Sequence, residues 1–158
     1  KQPPTMTENF ISPGDYIASV HKEILSSLLR RENASGVPNP DYDPEVIEVC
    51  EDRAVDEMRG YLAKSYDTEA IFNARGQERH SLILMYAIDI ALYHLFSIHN
   101  PYKLSDLRKA RYERAMEWLR MVAKGEVTIG VAPRLPEPTQ TENSPWQIVS
   151  ESARPHRI

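Results

Sequence analysis

The pattern of apolar and polar positions predicts four helices separated by loops. Three of them carry one apolar stripe each at helical spacing, over residues 12–31, 44–66 and 105–124. The remaining helix, within residues 78–99, is apolar on every face from Ser81 to Ile98. A helix that is apolar all round must be covered on all sides, so we expect it at the centre of a compact all-α bundle.

Asp89 and His94 lie inside this apolar helix. Either side chain would be costly in hydrocarbon, so the pattern favours a buried helix over a membrane span. We expect His94 to be a hydrogen-bonded core histidine rather than a metal ligand. A buried carboxylate needs a partner, and the candidates are Arg111 or Arg114 on the last helix and Arg53 on the second. The pattern therefore predicts that Asp89 pins helices together; a catalytic acid would want a second polar group in a cleft.

Local signals predict where the helices begin and end. Ser12 with Asp15, Asp43 with Pro44, and Ser105 are typical helix starts. Gly76 is expected to end a short helical turn within residues 67–75, and Gly125 is expected to end the last helix. On the second helix, the acidic and basic side chains are expected to lie largely off the apolar stripe: Glu48, Glu51, Asp52, Glu57 and Arg59.

The two ends of the chain differ from the helical region. Residues 1–11 are polar and form a predicted N-terminal arm, whereas residues 126–158 contain five prolines and form a predicted extended tail. The helical domain is therefore expected over residues 12–125. Such a tail cannot bury enough apolar surface to offset its ordering entropy, so we expect it to contact another chain, with docking on its own helices as the alternative. The predicted contacts with another subunit or a partner protein are Phe10, Ile11, Trp146, Ile148 and Val149.

Net charge, cysteine content and sequence motifs exclude or disfavour several classes of function. The 158 residues carry a net charge of −4, which gives no basic footprint for nucleic acid and does not favour an anionic membrane. Cys50 is the single cysteine, which excludes an internal disulfide and favours a reducing compartment. The basic run from Arg108 to Arg114 is interleaved with acidic residues and fits a solvated helix face. Phosphate loops, nucleophile elbows and paired metal-ligand spacings are missing, so we predict no catalytic residue, cofactor or metal site and no enzymatic activity.

Three groups of residues on successive helices have a combination of order and spacing that is moderately specific. They are Ala54, Asp56, Glu57, Tyr61, Leu62 and Tyr66; Asp89, Ile90, Ala91 and Tyr93; and Arg111, Tyr112, Ala115, Trp118, Leu119, Ala123 and Gly125. Over residues 43–131 this combination resembles the Mu-like phage and prophage family of head–tail connector proteins. The segment 66–72 is similar to versions from phages of Bacteroides-type hosts.

The resemblance implies a small all-α structural protein that forms a ring, usually of twelve copies, beneath the portal. Such a ring extends the DNA channel toward the tail without sequence-specific DNA binding and without a membrane. The implied partners are further copies, the portal protein and a tail-proximal neck or tail protein. The implied location is the head–tail junction of the virion, and the host cytoplasm during assembly.

A wedge of helices with charged rims such as Glu48/Asp52 and Arg108/Arg114 fits the two different faces that a ring needs. The alternatives are a head-completion stopper or a tail-terminator ring, a small DNA-binding regulator, and a metal-containing helical enzyme.

Overall fold

The computed structural model describes residues 9–18, 35–38, 43–99 and 104–137 of the chain. Four α-helices lie in these ranges: α1 (Pro44–Leu62), α2 (Thr68–Asn73), α3 (Ser81–His99) and α4 (Asp106–Lys124). Short 3-10 turns cover Pro13–Ala18 and Gly76–Glu78, and these same ranges contain no strand. The predicted all-α class is therefore confirmed. Of the helix predicted over 12–31, the described part is the turn Pro13–Ala18, and the rest lies outside the described residues.

α1 begins where the sequence predicts and ends earlier. The carboxylate of Asp43 accepts hydrogen bonds from the backbone N–H groups of Glu45 and Val46, at 3.0 and 3.4 Å. The helix ends at Leu62 rather than Tyr66. Tyr66 instead leaves the helical path and buries its ring, and its hydroxyl oxygen accepts a hydrogen bond of 2.8 Å from the backbone N–H of Ile129. The side chain of Tyr66, just beyond α1, thus contacts a residue 63 positions away in the chain.

The start of α3 also departs from the prediction. The helix begins at Ser81 rather than Glu78, because Gly76–Glu78 forms a separate 3-10 turn and Arg79 is extended. In this conformation the guanidinium of Arg79 reaches the N-terminal segment, where it donates to the backbone carbonyl of Phe10 at 2.7 Å. A long-range contact again replaces the first turn that periodicity predicts.

α4 has both of its predicted ends. Ser105 caps its first turn by accepting from the backbone N–H of Arg108 at 3.3 Å. Gly125 adopts a left-handed conformation with φ of 81°, which suits a residue without a Cβ atom. The N–H of Gly125 donates to the carbonyl of Val122, and that of Glu126 donates to Met121, at 3.0 and 2.9 Å. These two bonds form the Schellman motif that ends many helices.

The apolar helix α3 lies against both long neighbours. α1, α3 and α4 contact one another pairwise, and Tyr86 of α3 stacks on Trp118 of α4 with ring centroids 4.6 Å apart. Residues 81–98 of α3 are long and apolar enough to cross a membrane, and 56% of this stretch is buried inside the chain. The burial fits the expectation of a central helix in a bundle.

The core extends beyond both predicted boundaries of the helical domain. Phe10 and Ile11, which precede residue 12, are buried among the helices. Ile129 and Ala132, which follow residue 125, are buried as well. The described parts of the arm and of the tail therefore contribute side chains to the hydrophobic core.

Candidate functional site

The N-terminal segment 9–18 is held on α1 by a buried carboxylate. Glu51 is only 6% exposed, and it accepts hydrogen bonds from the Tyr16 hydroxyl at 2.6 Å and from the Asn9 amide at 3.0 Å. Burial raises the pKa of Glu51, and these two hydrogen bonds oppose the rise. Burial beside Glu51 also raises the pKa of Tyr16. The prediction that Glu51 lies off the apolar stripe is wrong, because the N-terminal segment covers this side chain.

A second contact joins the same segment to the residues before α3. Arg79 donates to both carboxylate oxygens of Asp15, at 2.6 and 3.0 Å, while Asp15 also accepts from the N–H and hydroxyl of Ser12. Burial alone would raise the pKa of Asp15, but the bonds from Arg79 and Ser12 outweigh it and lower the pKa. Asp15 therefore completes the predicted helix start and also anchors the segment.

Phe10 and Ile11 were predicted to contact a neighbouring subunit or the portal, and the structure places them inside their own chain. The ring of Phe10 packs edge-on against Phe72 of α2, with centroids 5.1 Å apart. Ile11 is among the most deeply buried side chains of the described residues. Because the chain's own helices cover both side chains, neither has surface to offer a partner in this conformation.

The first part of the predicted tail also folds back on its own helices. The N–H of Asp67 donates to Pro133 and that of Leu135 donates to Ser65, at 2.9 and 3.3 Å, which forms an isolated antiparallel bridge between Tyr66 and Arg134. The docking alternative considered for the tail thus applies up to Leu135. Trp146, Ile148 and Val149, the other predicted contacts, lie outside the described residues.

Asp89 lies at the interface of α3 and α4 beside a row of arginines. Its side chain is 4% exposed, and its Oδ2 atom accepts from Nη2 of Arg114 at 3.5 Å. Burial raises the pKa of Asp89, whereas the charges of Arg111, Arg114 and Arg108 act to lower it, and the net shift is upward. Two of the three predicted partners therefore act on Asp89, and the third, Arg53, acts instead on the thiol of Cys50.

We call Arg108, Arg111 and Arg114, with Leu107 at their edge, the arginine seam. The guanidinium of Arg114 lies over Tyr86, and that of Arg108 lies over Phe96, at 5.9 and 5.6 Å from the ring centroids. These rings belong to α3, so the seam covers the junction of α3 and α4. The side chain of Arg114 is 57% exposed and Leu107 is 60% exposed, so solvent reaches these two side chains, whereas Arg108 and Arg111 are half-buried.

Asp89 and Arg114, the hydrogen-bonded pair of the seam, face away from α1. The contacts of α1 with the other two helices include Glu57, which accepts from Tyr112 at 2.9 Å and lies 3.1 Å from Nε2 of His94. His94 is five positions after Asp89, about 140° around the helix axis, and Tyr112 is two positions before Arg114, about 200° around it. Asp89 and Arg114 thus lie nearly opposite the sides that α3 and α4 turn to α1, whereas Arg108, one turn before Tyr112, lies near the side of α4 that faces α1.

His94 is held by hydrogen bonding, as expected from the sequence, and its ring also lies edge-on to Tyr112. Tyr93 stacks on the same Tyr112 with centroids 4.0 Å apart. Burial, followed by the carboxylate of Glu57, raises the pKa of Tyr112 to about 12. Among the described residues no group of three or more potential ligands is placed to hold a metal ion.

The outer side of α1 is acidic. Glu45, Glu48, Asp52 and Asp56 are all exposed there, and exposed Val49 lies among them. We call these five residues the acidic face. Over its whole length α1 has six acidic and two basic residues, whereas α4 has six basic and three acidic residues. The subunit therefore carries an acidic surface on one side and a basic surface on another.

The sequence analysis did not predict that Glu51 is buried and anchors the N-terminal segment, although its spacing along α1 indicated burial. Glu51 follows Ile47 by four residues and precedes Ala54 by three, which places it on the side of α1 that faces the core. The acidic neighbours Glu48 and Asp52 made it resemble one more member of a solvated face. The partner Tyr16, 35 positions away, carried no such signal.

Comparison with known proteins identifies the family of this chain. A family model described as bacteriophage Mu, Gp36 matches residues 10–147, a range that includes the buried N-terminal segment, the acidic face and the arginine seam. The searches of curated proteins and of solved structures give no significant match. The resemblance to Mu-like phage proteins is thereby confirmed. The match covers most of the chain, and the chain therefore belongs to the bacteriophage Mu Gp36 family.

Proposed function

We propose that this protein is a structural head–tail connector of a tailed phage, an adaptor that forms a ring on the portal and extends the DNA channel toward the tail. The observation that carries the proposal is the family match over residues 10–147. It spans the helical core together with nearly all of the described parts of both termini, so the likeness rests on most of the chain rather than on one motif.

The surface of the subunit supports an assembly role. A cyclic ring needs two different faces on each copy, related by a rotation that closes. The acidic face of α1 and the arginine seam supply two candidate faces, because they lie on different helices and differ in charge. The net charge of −4 also suits a channel that lets DNA pass without holding it, because tight DNA binding depends on neutralising many phosphates with basic residues.

Deletion of the gene in its phage tests the proposal. We expect heads packed with DNA and separate, complete tails that fail to join, and we expect the wild-type protein as a ring of density directly below the portal in electron microscopy of particles. Density further from the portal would instead identify a stopper or a tail-terminator ring. A protein missing from particles, with normal heads and tails joined in the deletion strain, would contradict any structural role in the neck.

The tail gives a finer test of portal docking. A chain ending at Gly130 would remove buried Ala132 and the bridge at Arg134, so a chain ending at Glu137 is the better variant. This variant keeps every described contact, and we expect an unchanged helical circular dichroism spectrum but loss of co-sedimentation with portal particles.

The triple variant Trp146→Ala, Ile148→Ala and Val149→Ala in the full chain is the matched control for length. Loss of docking in both variants is expected. Full docking by the chain ending at Glu137 would contradict the assignment of the tail as a portal contact.

A further inference from the structure

The acidic face and the arginine seam have opposite charge, and each includes one exposed apolar side chain. The acidic face presents four exposed carboxylates around an exposed Val49. The seam presents the exposed side chain of Arg114 and the half-buried side chains of Arg108 and Arg111 beside an exposed Leu107. Each face thus combines charge with one apolar side chain that water covers in the single subunit, a combination that association of the two faces would bury.

The seam has a net positive charge together with the carboxylate that it covers. Three arginines act on the single Asp89, and the proximity of Arg111, after burial, helps to lower the pKa of Arg108. Like charges held this close repel one another, so an approaching group of carboxylates would stabilise the row. An acidic helix face of similar length supplies such a group.

We propose that the acidic face of α1 in one copy docks on the arginine seam of the next copy. This inference rests on the proposed ring function and names the two surfaces that would join neighbouring subunits. Because the two faces belong to different helices and differ in charge, the contact is head-to-tail, and repetition by a closing rotation generates a ring. Its ionic character makes the association sensitive to salt.

Charge reversal tests the pairing in the full-length protein. The double variant Glu48→Lys with Asp52→Lys changes the acidic face at exposed positions, and Leu107→Glu places a carboxylate beside the seam without removing a partner of Asp89. The matched control, Glu113→Lys with Glu117→Lys, makes the same change in net charge on another exposed part of α4. Light scattering and analytical ultracentrifugation at low salt measure self-association, and thermal melting checks that each variant folds.

We expect wild type and the control to associate at low salt and to dissociate as salt is raised. The acidic-face variant and the seam variant are each expected to associate at least about tenfold more weakly, the size of effect typical of interfacial charge changes. In a head-to-tail contact each variant keeps one intact face, so an equimolar mixture of the two variants should recover heterodimers. A mixture that stays as monomeric as its components would overturn the pairing.

Equal association of the acidic-face variant and wild type, or a wild type that is monomeric at every concentration, would also overturn the pairing. Neither result would affect the position of the protein in the particle, so the proposed function would stand or fall separately. Binding of a duplex DNA probe that Leu107→Glu abolishes, with self-association unchanged, would assign the seam to DNA instead.

Discussion

Glu51 and Asp89 are the two buried carboxylates among the described residues, and they are stabilised in different ways. Glu51 is held by two neutral donors, a tyrosine hydroxyl and an asparagine amide, both from the N-terminal segment. Asp89 is held by the charges of arginines on α4, and the side chain of its hydrogen-bonding partner Arg114 is more than half exposed. Burial raises the pKa of both carboxyl groups.

This difference in partners implies different roles for the Glu51 site and the Asp89 site. The Tyr16 hydroxyl and the Asn9 amide are neutral donors, and both bond to the buried carboxylate of Glu51. Glu51 therefore acts within the subunit, by fixing residues 9–18 on α1. Partly exposed arginines can interact with a second anionic group as well as with Asp89. The first site therefore stabilises the fold, whereas the second has an exposed arginine, Arg114, that a further anionic group can reach.

The largest expected effect comes from Glu51→Ala. The change leaves the buried hydroxyl of Tyr16 without its acceptor and loosens a segment that buries Phe10 and Ile11, so we expect a loss of about 3 kcal/mol in the free energy of unfolding. Urea denaturation measures this loss. Asp52→Ala, at the exposed neighbouring position, is the control and should change stability by less than about 0.5 kcal/mol. Equal losses of unfolding free energy in Glu51→Ala and Asp52→Ala would contradict the role of Glu51 as an anchor.

Asp89→Ala is expected to have a smaller effect. The arginines that lose their carboxylate are partly solvated, so we expect a loss of about 1–2 kcal/mol and a fall of several degrees in melting temperature. Differential scanning calorimetry measures the fall, with Asp56→Ala on the exposed side of α1 as control. A variant as stable as the parent would contradict the role of Asp89 as a pin between helices.

Comparing the pH dependence of the unfolding free energy of wild type and Glu51→Gln separates the titration of Glu51 from that of the other ionisable groups. Because the folded state raises the pKa of Glu51 above the ordinary value of 4.5, it binds the proton more tightly than the unfolded state does. The contribution of Glu51 to stability is therefore complete below that value and declines as the pH rises through the folded pKa. We expect wild type to lose stability relative to Glu51→Gln as the pH rises above 4.5 in urea denaturation, whereas parallel curves would contradict a raised pKa.

The smallest effect is expected for the single ion pair of Arg114. With its side chain 57% exposed and its hydrogen bond at 3.5 Å, Arg114→Gln should cost less than about 0.5 kcal/mol. A double-mutant cycle with Asp89→Asn measures the coupling directly. Coupling above about 1 kcal/mol would mean that this one contact, rather than the combined charge of the seam, holds Asp89.

Local interactions explain what could be predicted about the fold. The first turn of α1 at Asp43 and both ends of α4 depend on hydrogen bonds between residues at most five positions apart. The central position of α3 follows from its apolar faces, since burial of apolar surface does not depend on which helix provides the cover. The all-α class and the burial of Asp89 beside arginines of α4 were therefore accessible without a structure.

What the tertiary structure decided is a set of contacts between distant residues. It carried Phe10 and Ile11 into the core, brought Tyr66 into contact with Ile129, and gave Glu51 a partner on the N-terminal segment. Each depends on segments between 35 and 69 positions apart coming together, as in the contacts of Tyr16 with Glu51 and of Phe10 with Arg79. The sequence by itself determined which stretches form helices and which side chains need cover; only their packing determined what covers them, because hydrophobic periodicity specifies a buried face without specifying its partner.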